Sequence, residues 1–315
     1  MLEALHFGTQ GFSPRTRNES QLIRFGESAG RVALAGKHAG VTVEVGVTLR
    51  AREGKRADVN GVRLPAAEQL RSRFATLVFT PDRLAVVKGG PAVRRAYFDR
   101  VLGRLLPPQA QLPVEYGAVL AQRNAALRRV ELGLSTRDAL EPWTERLAVA
   151  AAKLVEARRQ TLAALGAPFC ECAEALGLRD VGLAYSGEPP TKEELANRLE
   201  RDLQRRATGL GPHLDDVVIS AGTRDLRSFG SQGEQRASVL ALLLAEAELL
   251  KARGEGPLLL LDDVLSELDR NRREALLSWA HGWGQTLVTA TSAAMLPGAP
   301  AQLLGVSPGR VEVQQ

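Results

Sequence analysis

Lysine is scarce in this chain. Only six of its 41 basic residues are lysine, so the search for a phosphate loop of the form G-x-x-x-x-G-K-[ST] is short. No such loop is present. The nearest approach runs from Gly30 to Gly36-Lys37. It is one residue too long between the glycines, and His38 stands where Ser or Thr would hold a metal. The segment reads instead as a turn between two strands. Cysteine is nearly absent too. Cys170 and Cys172 have a C-x-C spacing with no second cluster, and the four histidines are scattered. That argues against a metal centre and for two small helix residues in a reducing cytoplasm. Aromatic residues make up 4% of the chain, too few for stacking on single-stranded bases to be a main mode of contact. No apolar run approaches a membrane span, and Met1 is not followed by a signal-peptide pattern.

What the chain does have is concentrated in its last quarter. Leu258-Leu259-Leu260-Leu261 runs into Asp262-Asp263-Val264-Leu265-Ser266-Glu267-Leu268-Asp269. Apolar residues without alternation predict a central parallel strand. Ligands of open α/β sheets sit at the C-terminal ends of the strands, where these two carboxylates fall. An acidic pair there suits Mg2+ together with a base that orients a water. A buried strand followed by an acidic turn explains the pair equally well.

Upstream, Phe229-Gly230-Ser231-Gln232-Gly233-Glu234-Gln235-Arg236 opens a long apolar helix that extends to about Arg253. Ser231 and Glu234 have the spacing of a capping box. Capping does not explain Gly233, because glycine is unfavourable in a first helical turn. A glycine there lets a ligand approach the free N–H groups, and a helix N-terminus favours phosphate. The order is a phosphate-type helix start, a helix, a Gly254-Glu255-Gly256-Pro257 turn, a buried strand and an acidic pair. It resembles the signature motif, Walker B and D-loop of an ABC-type ATPase head.

Together with other blocks, these motifs resemble the RecF family of DNA repair proteins. Gly211-Pro212-His213-Leu214-Asp215-Asp216 is similar to a family motif usually written with Arg where Leu214 stands. Pro81-Asp82-Arg83-Leu84, Lys88-Gly89-Gly90-Pro91, Arg94-Arg95-Ala96-Tyr97-Phe98-Asp99 and Gln122-Arg123-Asn124 resemble the family's middle block. The resemblance implies an α/β fold: an ABC-type ATPase lobe with a mixed sheet, flanking helices and a β-rich N-terminal layer, plus an inserted helical lobe. It implies a role in recombinational repair, replication and the response to DNA damage. The family binds ATP and Mg2+, binds single-stranded or gapped DNA, forms an ATP-dependent homodimer, works with RecR and RecO, and aids RecA loading in the cytoplasm.

The resemblance also assigns roles at the site. Asp262 supports Mg2+ and Asp263 polarises the attacking water, a task for which many ABC-type proteins use Glu. The shorter side chain is consistent with slow hydrolysis. Ser231, Gln232, Gly233, Glu234 and Gln235 meet the nucleotide of the other subunit. Ser266 and Asp269 lie at the dimer interface, and an N-cap for the following helix is compatible with that role. Thr289 and Thr291 end the next strand, where transporter cassettes carry a histidine; none is found. A transporter signature, Leu-Ser-Gly-Gly-Gln, also differs from Gly230-Ser231-Gln232-Gly233-Glu234.

In the family the phosphate loop precedes a helix much like Leu2-Glu3-Ala4-Leu5-His6, so this chain is expected to begin inside that helix. Met1 is then a misassigned start or a truncation. A form carrying the loop is expected to be a weak ATPase, and the chain as given is expected to be inactive. The alternative is a genuine short form, a nucleotide-free DNA-binding or interaction module.

The remaining chain divides by pattern. Residues 1 to about 15 predict a helix broken at Gly11 and Pro14. From Ser20 to Arg63 the pattern is strand-like, with Asn60-Gly61 as a hairpin signal, and Thr76–Thr80 is a further strand. From about Ala92 to Arg206 apolar residues recur at helical spacing without sustained heptads, with breaks at Pro107-Pro108, Gly133, Pro142, Gly166–Pro168 and Pro189-Pro190. The expected division is an ATPase lobe from residues 1–91 and 207–315, and a helical lobe from residues 92–206.

The formal net charge is +5, which is compatible with a polyanionic partner. If DNA is bound, backbone electrostatics should dominate. A GC-rich genome gives the same arginine bias. The clusters Arg15 and Arg17, Arg71 and Arg73, Arg94 and Arg95, Arg123 with Arg128 and Arg129, and Arg201 with Arg205 and Arg206 mostly share their segments with acids, as solvated faces do.

Overall fold

Alternation and turn chemistry shape the N-terminal layer. In a computed structural model, the described residues are 1–314 except 17, 39, 255, 281 and 283. Arg17 of the first arginine pair, Glu255 of the expected turn and His281, where the pattern predicts the end of a helix from about Arg270, therefore lie outside the described residues. Helix α1 (Leu2–Gln10) stops at Gly11, which takes a left-handed φ of 72°. Strands β1 (Ala29–His38), β2 (Val41–Arg50), β3 (Gly54–Val59) and β4 (Val62–Arg63) follow as an antiparallel sheet in chain order. Asn60 and Gly61 both have positive φ, 49° and 76°, as a two-residue hairpin turn requires. Val45, Val47, Leu49, Ala57 and Val59 form a core with Phe7 of α1.

The segment from Gly30 to Lys37 is not a turn between strands. It is the body of β1, paired with β2 from Ala29↔Arg50 to His38↔Val41. Gly30, Val32 and Leu34 alternate with more exposed neighbours. An edge strand with one partner tolerates the glycines, and the period-2 pattern outweighs their turn preference.

Helix α2 (Leu70–Arg73) leads into β5 (Thr76–Phe79), which joins a different sheet. Next come α3 (Ala85–Lys88), α4 (Pro91–Leu105), α5 (Leu112–Glu131) and α6 (Glu141–Ala175). α6 runs straight through the break expected at Gly166–Pro168, with Pro168 inside the helix. An interior proline costs about 3 kcal/mol. Leu162 and Leu165 before it, and Phe169, Cys172 and Ala173 after it, are buried in one cluster, and that burial offsets the penalty. Cys170 and Cys172 are free thiols on this helix.

A strand, β6 (Val181–Ser186), interrupts the region expected to be helical. It precedes α7 (Lys192–Asn197) and α8 (Leu199–Arg205) and pairs antiparallel with β7 (Asp216–Ala221), which also pairs with β8 (Arg224–Asp225). Then come α9 (Leu226–Phe229), α10 (Gln232–Lys251), β9 (Leu258–Leu261), α11 (Arg270–Ala280), β10 (Thr286–Val288), β11 (Leu304–Ser307) and β12 (Arg310–Val313). The four leucines of β9 form the central strand expected, parallel to β5 on one side and β10 on the other. The largest apolar cluster joins β5, β7 and β9 with α4, α6 and α10. No helix among the described residues is long and apolar enough to cross a membrane.

Candidate functional site

The central strand delivers Asp262 and Asp263 to the C-terminal end of the parallel sheet. Asp262 N–H still donates to Phe79 O of β5 at 2.9 Å, so this residue is held in line with the strand. Asp263 then turns sharply, with φ 50° and ψ 29°. A left-handed aspartate costs about 1–2 kcal/mol, and such outliers gather at functional sites.

Thr289, just past β10, joins the two acids. Its Oγ1 donates to Asp262 Oδ1 at 2.9 Å and accepts from Asp263 N–H at 3.0 Å. Arg15 donates from Nη2 to Asp262 Oδ2 at 2.8 Å. Asp263 Oδ1 is buried without a hydrogen-bond partner among the described residues. Asp262, Arg15, Thr80 and Thr289 line one cavity of about 1260 Å³. Ser266 Oγ donates to Asp263 O at 2.8 Å, and Asp269 Oδ1 accepts from Arg272 N–H at 2.9 Å, capping α11.

These groups fit a cation that brings most of its own ligands. Among the described residues no cluster of three or more His, Cys, Asp or Glu forms a cage. Mg2+ keeps waters and takes one or two carboxylates plus substrate phosphates. Asp262, one-fifth exposed, is positioned to be one of those carboxylates, and Arg15 already supplies a positive charge to the same oxygen.

The second cluster is the start of α10. Ser231 is its N-cap and forms the capping box: Ser231 Oγ accepts from Glu234 N–H at 3.2 Å, and Glu234 Oε2 accepts from Ser231 N–H at 2.7 Å. Glu234 Oε1 accepts from Arg224 at 2.9 Å. The hydrogen bonds from Arg224 and Ser231 hold its carboxyl down at about 2. Gln235 turns inward, buried, with Nε2 donating to Leu226 O at 2.8 Å. Ser231, Gln232 and Gly233 are exposed.

The two glycines of this motif differ. A Cβ on Gly230 would lie 2.5 Å from Leu226 O, so the backbone itself requires glycine. At Gly233 a Cβ would meet only Arg272 Nη1, at 3.9 Å. Nothing among the described residues requires Gly233 to be glycine.

Arg272 also approaches Asp269 at 3.5 Å, so the helix start and the stretch after β9 are neighbours. None of the residues from Ser231 to Gln235 lines the cavity that holds Asp262. Within one chain, Asp262 and the helix start do not line the same cavity.

Two residues at the site escaped the sequence reading. Arg15 carried no signal beyond its charge, because Ser-Pro-Arg after a helix has no diagnostic spacing. Thr289 was noted only as the end of a strand, although its place beside a Walker B pair could have marked it. The Gly-Pro-His block is a half-buried, hydrogen-bonded scaffold. His213 accepts from Tyr116 Oη at Nδ1 (2.7 Å) and donates from Nε2 to Thr208 O (3.0 Å). Pro212 O accepts from Arg158, Asp215 from Tyr185, and Asp216 from Arg94. Leu214 alone points out, 56% exposed.

No family model matches the chain. It is 36% identical to the DNA replication and repair protein RecF of Myxococcus xanthus, with 100% of this chain and 88% of the relative covered. A solved structure of the recombination mediator protein RecF with ATP, in the RecFOR pathway, superposes with a TM-score of 0.87 at 27% identity, covering 100% of this chain and 87% of that one. An Smc head bound to the C-winged helix domain of ScpA shares the fold alone, with a TM-score of 0.56 at 15% identity, over 99% of this chain and 84% of that one. Motifs, topology and these similarities agree that the chain has an ABC-type ATPase head fold and belongs to the RecF family of DNA replication and repair proteins.

Proposed function

We propose that this chain is the core of an ATP-dependent DNA-binding protein of recombinational repair, acting in the cytoplasm on single-stranded or gapped DNA. In this reading it works with RecR and RecO and aids RecA loading. Its ATPase lobe comprises residues 1–91 and 207–315, and residues 92–206 form a helical lobe.

The observation that carries the reading is Gly233. It is exposed at the first turn of a long helix, and neither packing nor backbone conformation demands it. A ligand that needs close approach to the N–H groups of that turn accounts for it. The capping box supports the same turn: Glu234 is engaged by Ser231 and Arg224, and Gln235 fixes the helix start from inside. Ser231, Gln232 and Gly233 therefore face outward as a unit. Asp262 lies in a separate cavity, so a nucleotide that contacts both clusters does so between two copies of the chain. ATP then acts as dimer glue, with Ser266 and Asp269 near the same interface.

At the acidic pair, Asp262 binds Mg2+ and is oriented for it by Thr289. Mg2+, when bound, offsets charge on the phosphates. Asp263 holds a water, using the Oδ1 that has no partner among the described residues. Arg15, next to Asp262, contacts the phosphates.

The test uses a form that carries a phosphate loop. Ser231→Arg should abolish ATP-dependent dimerisation in sedimentation while monomer ATP binding persists. A dimer that forms as before would reduce Ser231 to a helix cap.

A further inference from the structure

Away from this site, guanidinium groups gather along one side of α4. Arg104 on α4 ion-pairs through Nε with Glu246 Oε1 of α10. The Glu246 side chain is completely buried, and its Oε2 has no hydrogen-bond partner among the described residues. Arg100 precedes Arg104 by four residues on α4, on the same helix face. Arg83, from the turn Pro81–Leu84 before α4, stands over the Tyr97 ring with its guanidinium carbon 5.9 Å from the centroid. Among the described residues, neither Arg83 nor Arg100 forms an ion pair with a carboxylate. Arg71 borders the cluster and has Glu68 and Glu19 against it.

Three guanidinium groups thus share one carboxylate. Burial pulls Arg83 down to about 10; Tyr97 and Glu246 oppose this and the Arg104 and Arg100 charges add to it, and Arg83 stays charged at neutral pH. Burial and Arg104 pull Arg100 down as well. Holding like charges together with incomplete hydration is unfavourable unless an anion joins them. A surface face of solvated arginines has acids interleaved, whereas the carboxylate that acts on Arg83, Arg100 and Arg104 is Glu246, already paired with Arg104. Guanidinium forks match the oxygens of a phosphate, and an aromatic ring beneath one of them fixes its plane.

We infer that Arg83, Arg100 and Arg104 form a receptor site for a phosphate group. Arg104 is anchored by Glu246, while Arg83 and Arg100 have donors to spare. The phosphate is either a phosphodiester of bound DNA or a free phosphoanion. The first source rests on the DNA-binding reading above; the second does not.

The test compares the wild-type chain with Arg83→Gln/Arg100→Gln, which leaves the Arg104–Glu246 pair intact. In the first arm, thermal denaturation is followed with inorganic phosphate replacing chloride at constant ionic strength. Phosphate should raise the wild-type Tm and leave that of the variant unmoved. In phosphate-free buffer the variant should be at least as stable as wild type, because repulsion has been removed. In the second arm, anisotropy of a gapped duplex is titrated across salt. The slope of log K against log salt should fall by about 0.9 for each DNA phosphate that the variant no longer neutralises.

A slope change without a phosphate-dependent Tm shift identifies DNA as the source. The converse identifies a free phosphoanion. A variant that matches wild type in both arms overturns the inference. A chain that binds no DNA at all removes the DNA-binding reading, and the first arm still decides the site. Should the double variant fail to fold, exposed Arg100→Gln alone carries both arms, with half the slope change.

Discussion

Deleting the Asp202 carboxylate should cost the fold about 3–5 kcal/mol, the range for breaking a buried ion pair from one side. Asp202 on α8 and Arg123 on α5 are both completely buried, 2.9 Å apart. Arg123 also donates to Thr208 Oγ1 at 2.7 Å and Thr144 Oγ1 at 3.2 Å. Neither hydroxyl can neutralise it, and its Nη2 already lacks a partner. Asp202→Ala therefore leaves a whole positive charge in a dry site. It also frees Gly209 N–H, now bonded to Asp202 Oδ1 at 3.1 Å, at the entrance to the Gly-Pro-His block. Urea denaturation of wild type, Asp202→Ala and Arg123→Met/Asp202→Leu measures the effect by linear extrapolation. The double variant should recover more than half of the loss, because the two completely buried charges leave together, while Arg198, 3.5 Å from Asp202, is one-quarter exposed. A single variant within about 1 kcal/mol of wild type, the worth of an exposed pair, would refute the reasoning. So would a double variant no better than the single.

Stability should fall with acid well before the carboxylates protonate. Burial holds His6 down at about 4 against an ordinary 6.5, so the unfolded chain takes the proton first. The stability present above pH 6.5 is lost as the pH drops towards 4, by about 3 kcal/mol; denaturation of His6→Gln across this range should show a flatter profile. Gly233→Ala should leave the stability of the chain unchanged or raise it by up to about 1 kcal/mol, since helix propensity improves and a Cβ has room; a clear loss of Tm would show that packing demands the glycine. In a form carrying a phosphate loop, Asp263→Asn should slow ATP turnover roughly 10²–10⁴-fold while Mg2+-dependent nucleotide binding survives, whereas Asp262→Asn should weaken that binding. Equal, small effects of the two changes would remove catalysis from the pair.

Much of this was legible in the sequence because it depends on local chemistry. Asn60-Gly61 marked its hairpin, Ser231 and Glu234 their capping box, and the run Leu258–Leu261 its central strand. Each signal sits within a few residues of the structure it causes. The reading failed where tertiary contacts decide. Pro168 marked a break, but the apolar stripe on both sides of it keeps α6 whole. Val181, Leu183 and Tyr185 alternate as a strand should, yet they follow a long helix and were absorbed into it. Gly30 and Gly36 suggested a turn, and only pairing with β2 shows the strand. At the site, residues contiguous in sequence were found. Arg15 and Thr289 reach Asp262 from distant parts of the chain, and no spacing rule reports such contacts.

The pairing of β5 with β9 sets an order of events during synthesis. The strands of the N-terminal sheet are joined by short turns, so they can close as soon as they leave the ribosome. β5 cannot. Thr76 pairs with Leu258 and Phe79 with Leu261, so β5 waits without these strand partners until most of the chain has been translated. Closing so long a loop is slow because its entropy is lost before any contact compensates. The parallel sheet that carries the acidic pair is thus among the last parts of the molecule to form, and its unpaired strand is where a chaperone would be needed and where aggregation would begin.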